Sequence, residues 1–305
     1  MEQWAEAVGF AHAKINLFLD VTGRRADGYH LIDGVMQSVT LGDRVCVRAA
    51  RAASSEIALK VTGAAESVPC DGRNLAYRAA EAFLTATGLA LNVEITLEKT
   101  IPVAGGLAGG STDAAFVLRK LNQLTDHPLT EGALLALGER LGADIPFCIA
   151  GRGGAMRTEG IGEILTPVPP LPDCAIVIAR AGEGVSTPWA YQALDAQYGR
   201  EDPQERQARA LRLQALLRAL EDGDLDRVCR QCWNIFETVV IPCRPRVQAV
   251  KEQLLRAGAR LAMMSGSGPS VFGIFTDQAE AERACRELRA GGAVAALCRP
   301  MRERA

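Results

Sequence analysis

The feature that most restricts what this chain can fold into is the glycine-rich segment Ile101–Asn122, IPVAGGLAGGSTDAAFVLRKLN. Gly105, Gly106, Gly109 and Gly110 all fall within six positions of it. Glycine inside an ordered domain costs conformational entropy, so a segment with four of them needs a specific reason for each. The segment is either a flexible linker or a loop whose backbone comes close to a negatively charged group.

The elements on either side of the glycines favour the second interpretation. Val93, Ile95 and Leu97 alternate in NVEITLEK and predict a half-buried strand, and TDAAFVLRKLNQL predicts a helix. The N terminus of a helix presents unpaired N–H groups and the positive end of the helix dipole, where phosphate is a common ligand. Ser111 and Thr112 add hydroxyl groups that can contact a phosphate or a phosphate-bound metal. The segment is neither a Walker A loop nor a G-x-G-x-x-G fingerprint, but its place between strand and helix predicts phosphate binding.

Size and composition are those of an ordinary globular protein. The 305 residues fit about two domains, and a net charge of -2 argues against general nucleic-acid binding. We find no apolar run near the roughly 20 residues of a membrane helix and no signal-peptide pattern at the N terminus. Nine cysteines are scattered, and Cys229 and Cys232 form a lone C-x-x-C without histidines at zinc-ligand spacing. We therefore expect a cytoplasmic protein that binds neither nucleic acid nor membrane.

The order of the predicted elements indicates an α+β protein with two domains. The first half mixes the strands KINLFLDV, RVCVRAA, EIALKV and NVEITLEK with helices, one of them capped by Asn74. The prolines of LTPVPPLPDC predict a rigid crossing and a boundary between residues 1–165 and 166–305. Beyond it we predict the strand AIVIA, helices over Pro203–Glu221 and Arg244–Arg256, and a final strand, strand, helix, strand series. This series is typical of an antiparallel sheet covered by helices.

Two further polar residues suit a phosphoryl-transfer site. Lys14 is expected at the start of an apolar strand, on the same strand face as Asn16, and Asp144 follows the predicted helix end at Gly142. Each has a simpler explanation, because a lysine stem can lie along apolar surface and an aspartate can form a turn. Together with a phosphate-binding loop, however, a lysine and an aspartate are what phosphoryl transfer to an alcohol requires.

Three segments, AKINLFLDV, PVAGGLAGGSTDAA and MSGSGPSVFGIF, resemble the three motifs of the GHMP kinase superfamily and occur in the same order. ADGYH and GADIPF are more specific and resemble the branch that acts on 4-diphosphocytidyl-2-C-methyl-D-erythritol. The resemblance covers nearly the whole chain. It implies ATP-dependent phosphorylation of the C2 hydroxyl of that substrate, in the non-mevalonate isoprenoid pathway. It also implies a two-domain α+β fold, with an N-terminal ribosomal-protein-S5-like nucleotide domain and a C-terminal ferredoxin-like α/β sandwich domain.

The resemblance implies roles for individual residues. Asp144 falls where the family has its catalytic base, and Lys14 where a lysine contacts both that aspartate and the reacting oxygen. A nearby ammonium lowers the pKa of a carboxyl group and stabilises a developing alkoxide. The ATP-binding positions are Asn74, Lys99, Pro102, Val103, Ala104, Gly105, Gly106, Leu107, Ala108, Gly109, Gly110, Ser111 and Thr112, with Asn74 and Lys99 at the adenine end. The substrate-binding positions are Asn16, Tyr29, His30, Asp144, Gly266, Ser267 and Gly268.

The resemblance further implies a cytosine pocket between aromatic rings, with His30 at the polar edge of the base and Trp189 or Tyr191 as candidates for the second ring. Asp113 receives no role, and no glutamate matches the metal position of the family, so the ligands of the expected Mg2+ are unassigned. We expect a monomer or weak homodimer that binds ATP and the cytidine diphosphate-linked methylerythritol.

Two alternatives stay open. One is another GHMP small-alcohol kinase of the homoserine or mevalonate type. The other is a catalytically silent ligand-binding regulator on the same fold, which should have lost a catalytic residue.

Overall fold

The computed structural model describes residues 3–63, 68–151, 153–198 and 203–302. The chain divides into two compact units, both discontinuous in sequence. The first comprises Met1–Ala13, Gly42–Val103 and Ala108–Arg152, and the second comprises Lys14–Leu41, Ala104–Leu107 and Gly153–Ala305. These units differ from the predicted domains, residues 1–165 and 166–305, which stay a prediction about the domain organisation.

Two long strands contribute residues to both units. They are β1 (Ala5–Arg24) and β2 (His30–Arg51). The remaining strands of the first unit are β3 (Glu56–Thr62) and β4 (Leu91–Glu98). β4 is central, since it pairs in parallel with β3 and antiparallel with the second half of β2.

Helices supply the rest of the first unit. They are α1 (Leu75–Thr87), α2 (Gly109–Leu124), α3 (Glu131–Leu141) and α4 (Ile145–Ala150). Their apolar faces and the alternating side chains of β2 and β4 form one core, which includes Phe83, Val93, Ile95 and Leu118. Burial of that apolar surface is the main force that stabilises the unit.

The ends of α1 follow the sequence signals closely. The Asn74 side chain accepts a hydrogen bond from the Ala76 amide at 2.9 Å, and Gly88 ends the helix in the left-handed conformation with φ 66°. An Asn N-cap and a glycine after the last turn satisfy backbone groups that a helix leaves unpaired. The predicted Asn74 cap is therefore confirmed.

The second unit holds a four-stranded antiparallel sheet in the order β11-β7-β10-β9. Its strands are β7 (Ala175–Arg180), β9 (Leu261–Met264), β10 (Ser270–Phe275) and β11 (Ala295–Cys298). The helices α9 (Pro245–Arg256) and α10 (Gln278–Ala290) contribute to one core with β7 and β10. A sheet of two strand-helix-strand units in this order is ferredoxin-like, which confirms the predicted C-terminal fold.

The other elements of the second unit lie outside this sheet. They are β5 (Ala155–Gly160), β6 (Ile164–Val168), α5 (Thr187–Tyr198), α6 (Pro203–Glu221), α7 (Leu225–Gln231), β8 (Trp233–Asn234) and α8 (Glu237–Cys243). β5 pairs antiparallel with the first half of β2 and with β6, and β8 pairs in parallel with β1. The helix predicted over Pro203–Glu221 is confirmed.

One expectation about local structure was wrong. Lys14 does not begin a strand, because β1 starts at Ala5 and Lys14 lies in its middle. His30 begins β2. The segment before Lys14, AEAVGFAHA, is rich in alanine and glycine, which disfavour strands, so long-range pairing overrides the local preference.

All nine cysteines are free thiols. Burial raises the pKa of Cys229 to about 12 and raises that of Cys232 as well, so both side chains are protonated thiols packed in the core. Along the described ranges, no helix combines the length and apolar character needed to cross a bilayer.

Candidate active site

The first functional element is the start of α2, where the structure corrects one expectation. The glycine segment changes from loop to helix at Ala108, so Gly109, Gly110, Ser111 and Thr112 form the first turn of α2 rather than a loop before it. Ala108 has the left-handed φ of 59°, and no side chain caps the helix. An uncapped N terminus on a 16-residue helix is electrostatically suited to a phosphate group.

Gly109 and Gly110, the first two residues of this turn, differ in how much space the fold leaves for a side chain. A Cβ atom on Gly109 would lie 3.1 Å from Ile101 Cγ2, which is tight. A Cβ atom on Gly110 would meet only Leu75 Cδ1 within 4 Å, at an ordinary 3.5 Å. The fold itself therefore does not require glycine at position 110, whereas a ligand approaching the backbone would.

Directly beside this turn lies a buried charged group, formed by Asp43, Lys99 and Asp113, which we call the Lys99 cluster. The Lys99 ammonium donates to Asp113 Oδ2 at 2.5 Å and to Asp43 Oδ2. Asp43 Oδ1 accepts from the backbone amides of Thr100 and Ile101 at 2.5 and 2.9 Å. Lys99 directly follows β4, and Asp113 is on α2. The cluster therefore links the chain before the four glycines to the helix that follows them.

Electrostatics in the cluster are unusual because two carboxyl groups share one cation out of water. Burial raises the pKa of Asp113 to about 7; the Lys99 charge opposes this shift, and the Asp43 charge adds to it. Burial alone would lower the pKa of Lys99, but the charges of Asp113 and Asp43 raise it above its ordinary value. Asp113 Oδ1 is buried without a hydrogen-bond partner among the described residues. This geometry gives Asp113, which the sequence left without a role, a place directly beside the first turn of α2.

Asn74 and Asp144 are the other predicted residues of the first unit. The Asn74 amide is engaged at both ends, by Ala76 N and by the carbonyl of Pro69 at 2.8 Å. Asp144 lies half-buried between α3 and α4, and its side chain does not cap α4.

In the second unit, Lys14 and Asn16 lie together inside β1. The Lys14 ammonium donates to Asn16 Oδ1 at 2.7 Å, and the two residues are only 4% and 1% exposed. The simpler explanation, a lysine stem lying along apolar surface with its ammonium in water, is therefore wrong. Burying an ammonium is costly, so its retention here indicates a strong interaction or a chemical use.

The glycine segment contributes Ala104–Leu107 to this unit, against the turn between β9 and β10. Ser265 Oγ donates to the Gly106 carbonyl at 3.0 Å and accepts from the Asn16 amide at 3.3 Å. A Cβ atom on Gly106 would lie 2.1 Å from the Ser265 carbonyl oxygen, and φ of Gly106 is 75°. Glycine at 106 is therefore required by the fold.

The turn that contains Gly266, Ser267 and Gly268 is fixed from beneath by Asn234, a residue that the sequence analysis missed. Asn234 Nδ2 donates to the carbonyls of Met264 and Gly266 at 2.7 and 2.8 Å. The only local signal was a lone amide before the apolar pair IF in CWNIFET. Ser265 was missed too, although it lies within the quoted motif MSGSGPSVFGIF.

The predicted cytosine side also lies in the second unit. Tyr29 is 61% exposed, and no other part of the described chain buries its ring. The His30 ring bonds through Nε2 to Asp195 Oδ1 at 2.7 Å and stacks on Tyr191 with the ring centres 4.4 Å apart. Trp189 instead lies under the Arg244 guanidinium at 5.8 Å. Asp195, which no sequence motif marked, is thus a direct partner of His30.

The structure therefore groups the predicted residues in two sets. Asn74, Lys99, the first turn of α2 and Asp144 belong to the first unit. Lys14, Asn16, residues 104–107, Tyr29, His30 and the turn at 266–268 belong to the second.

Comparison with known proteins gives consistent results. The family model described as "GHMP kinases N terminal domain" matches residues 74–152, and the one described as "GHMP kinases C terminal" matches residues 213–294. A "4-diphosphocytidyl-2-C-methyl-D-erythritol kinase" of Gloeobacter violaceus is 46% identical over 91% of this chain and 88% of its own length. One of Macrococcus caseolyticus is 40% identical over 92% of this chain and 94% of its own length.

Solved structures agree with the sequence relatives. A crystal structure of 4-(cytidine 5'-diphospho)-2C-methyl-D-erythritol kinase superposes with a TM-score of 0.78 at 34% identity, covering 97% of this chain and all of that one. A homoserine kinase from Cytophaga hutchinsonii gives a TM-score of 0.74 at 22% identity, over 98% of this chain and 95% of that chain. The second likeness shows a shared fold.

Proposed function

Since the chain belongs to the family of 4-diphosphocytidyl-2-C-methyl-D-erythritol kinases, we propose that it transfers the γ-phosphoryl group of ATP to the C2 hydroxyl of that substrate. The products are the 2-phosphate and ADP, within the non-mevalonate pathway to isoprenoid precursors. The observation that carries this proposal is 46% identity to a kinase of that name along 91% of the chain.

We assign the chemistry to two residues. Asp144 takes the proton of the C2 hydroxyl, and the Lys14 ammonium stabilises the negative charge that develops on the oxygen. The oxygen then forms a bond to the γ-phosphorus, while the bond to the β-γ bridging oxygen breaks and ADP leaves. The burial of Lys14 and the half-buried position of Asp144 at the start of α4 support this assignment.

ATP is the phosphoryl donor of GHMP kinases, and we assign its phosphates to the uncapped first turn of α2. The amides of that turn point along the helix dipole, so they bind negative charge. The remaining loop positions and Asn74 and Lys99 stay predicted contacts of the nucleotide. Because the Lys99 ammonium is held by two carboxyl groups, a contact from Lys99 to adenine would use its backbone.

We assign the cytosine end to Tyr29 and His30. The exposed Tyr29 ring offers an apolar face on which a base can stack, and His30 offers a polar edge. Asn16 and the turn 266–268 complete the predicted substrate contacts.

Mg2+ is part of the proposal as a companion of ATP. The described residues contain no group of three or more His, Cys, Asp or Glu side chains able to hold a metal. Two carboxyl groups near the phosphate turn are engaged by Lys99. The side chains therefore do not fit a metal cage, and Mg2+ would be held largely by phosphate oxygens, as is usual for this ion.

A cytoplasmic location and a monomer or weak homodimer also belong to the proposal. The nine free cysteines support a reducing compartment.

The direct test is an assay of ADP release with four alcohols at equal concentration: the cytidyl substrate, homoserine, mevalonate and galactose. We expect turnover with the cytidyl substrate alone. Turnover with homoserine or mevalonate instead would show another small-alcohol kinase, and binding of the cytidyl substrate without ADP release would show a silent regulator.

A further inference from the structure

The His30 ring is held from two sides by a single helix. α5 carries Tyr191 and Asp195 one helical turn apart, so that both side chains face His30. Tyr191 stacks on the imidazole with an angle of 19° between the rings, and it lies nearly perpendicular to the Phe236 ring with the ring centres 4.9 Å apart. Packing against Tyr191 therefore fixes the orientation of the His30 ring plane.

Asp195 fixes the second property of the ring, the position of its proton. An ionised carboxylate only accepts hydrogen bonds, so the 2.7 Å contact requires that Nε2 of His30 carries the hydrogen. Arg24 donates to the other oxygen, Oδ2, at 3.3 Å, so both oxygens of the carboxylate are engaged. In a neutral imidazole with Nε2 protonated, Nδ1 has a lone pair and is an acceptor.

We propose that Asp195 is a positioning residue that makes this kinase select cytosine over uracil by fixing His30 with Nδ1 as an acceptor. This inference rests on the proposed function, in which His30 faces the base. Cytosine presents an amino group, a donor, at the position where uracil presents a carbonyl oxygen, an acceptor. The Nδ1 lone pair accepts from the amino group and opposes the carbonyl oxygen.

A purely structural role for Asp195 makes a different prediction. Loss of a partly exposed ion pair would lower the stability of α5 and would affect cytidyl and uridyl substrates equally. Loss of the fixed His30 tautomer would change the ratio of activity with the cytidyl substrate to activity with the uridyl substrate, because the two substrates differ only in the edge of the base. The ratio of kcat/KM for the two substrates therefore separates the two roles.

The experiment measures kcat/KM with the cytidine diphosphate-linked substrate and with its uridine diphosphate-linked analogue. The variants are the parent, Asp195→Asn, Asp195→Ala and, as a matched control, Asp222→Asn, which removes an exposed aspartate paired with Arg227. An asparagine can turn either its oxygen or its amino group toward Nε2, so it permits both tautomers. We expect the parent to prefer the cytidyl substrate by about a hundredfold, Asp222→Asn to keep that preference, and both Asp195 variants to lower it to about tenfold or less, a change of about 1.4 kcal/mol.

Nitrogen-15 NMR gives a readout that does not depend on turnover. The chain has three histidines, so the imidazole signals can be assigned with single substitutions. We expect His30 of the parent to show a protonated Nε2 and a lone-pair Nδ1, and Asp195→Asn to show a mixture.

The outcomes separate the two proposals. If the parent does not phosphorylate the cytidyl substrate, the proposed function fails. If it does, but Asp195→Asn and Asp195→Ala keep the full preference for cytidine in folded protein, the function stands and the role of Asp195 is overturned. A parent His30 protonated at Nδ1 would overturn that role as well.

Discussion

The Lys99 cluster and the group around Asp195 are both networks of three polar side chains, but they lie in opposite environments. The first has one cation between two carboxyl groups, with side chains 5% exposed or less. The second has one carboxylate, Asp195, between Arg24 and His30, with exposed side-chain fractions of 34%, 58% and 12%. The Lys99 cluster is therefore buried away from water, and the Asp195 group is partly exposed to it.

This difference determines what each group contributes. Removing one partner of a buried ion pair leaves an uncompensated charge out of water, whereas an exposed pair is screened and changes stability little. The Lys99 cluster should therefore hold the glycine segment in place, and the Asp195 group should orient a ring without stabilising the fold much.

The largest expected effect is that of Lys99→Met, which leaves Asp43 and Asp113 without their shared cation. We expect a loss of about 3–5 kcal/mol in the free energy of unfolding, measured with urea. The matched control is Lys60→Met on the exposed face of β3, which should change stability by less than about 0.5 kcal/mol. Equal losses in the free energy of unfolding for Lys99→Met and Lys60→Met would contradict the stabilising role of the buried Lys99 cluster.

Next in size is the pH dependence that Asp113 gives to stability. Its pKa rises from 3.8 to about 7 on folding, so between these values the folded state binds more protons than the unfolded state. The contribution of Asp113 to the free energy of unfolding is therefore largest below about pH 4 and is lost as the pH rises through about 7. We expect urea unfolding of Asp113→Asn to show a shallower decline than the parent over this window, and parallel curves would contradict the raised pKa.

A smaller effect is expected from Gly110→Ala, beside the cluster. Because a Cβ atom has room there, stability should stay the same or rise by up to about 1 kcal/mol, as for glycine replaced in a helix. ATP affinity, measured by calorimetry, should fall by about tenfold, or about 1.4 kcal/mol, since the methyl group obstructs a phosphate.

Gly132→Ala is the matched control, because Gly132 is also the second residue of its helix and its Cβ would meet nothing within 4 Å. It should leave ATP affinity unchanged. Unchanged ATP affinity in Gly110→Ala would contradict the assignment of the ATP phosphates to the first turn of α2.

The smallest effect is expected from Arg24→Gln in the exposed group. The pair it removes is partly in water, so the free energy of unfolding should change by less than about 1 kcal/mol in urea. A loss comparable with that of Lys99→Met would show that exposure does not distinguish the two groups.

Much of the fold followed from local patterns. The alternation in NVEITLEK, the Asn74 cap of α1 and the helix predicted over Pro203–Glu221 each correspond to an element that the structure contains. These signals work because backbone geometry fixes which positions face the core. The first half of β1 could not be found this way, since it depends on its neighbours in the sheet.

The residues of the candidate site fall into the same two classes, those that local sequence patterns mark and those that only the fold brings together. The glycine segment, Lys14 and Asp144 stand in recognisable motifs. Asp43 lies 56 positions from Lys99, and Asp195 lies 165 positions from His30. No period or spacing connects such residues, because the fold alone brings them into contact. The sequence therefore indicated the chemistry of the site but not the residues that hold it in position.

The most direct test of the account is single-turnover phosphoryl transfer from ATP to the cytidyl substrate by Asp144→Asn. The substitution keeps the shape of the side chain and removes the base. We predict that the rate constant falls by about 10²–10⁴ while affinity for both ligands changes little, since the loss is confined to the transition state. A folded Asp144→Asn protein with a near-normal rate constant would contradict the proposed mechanism.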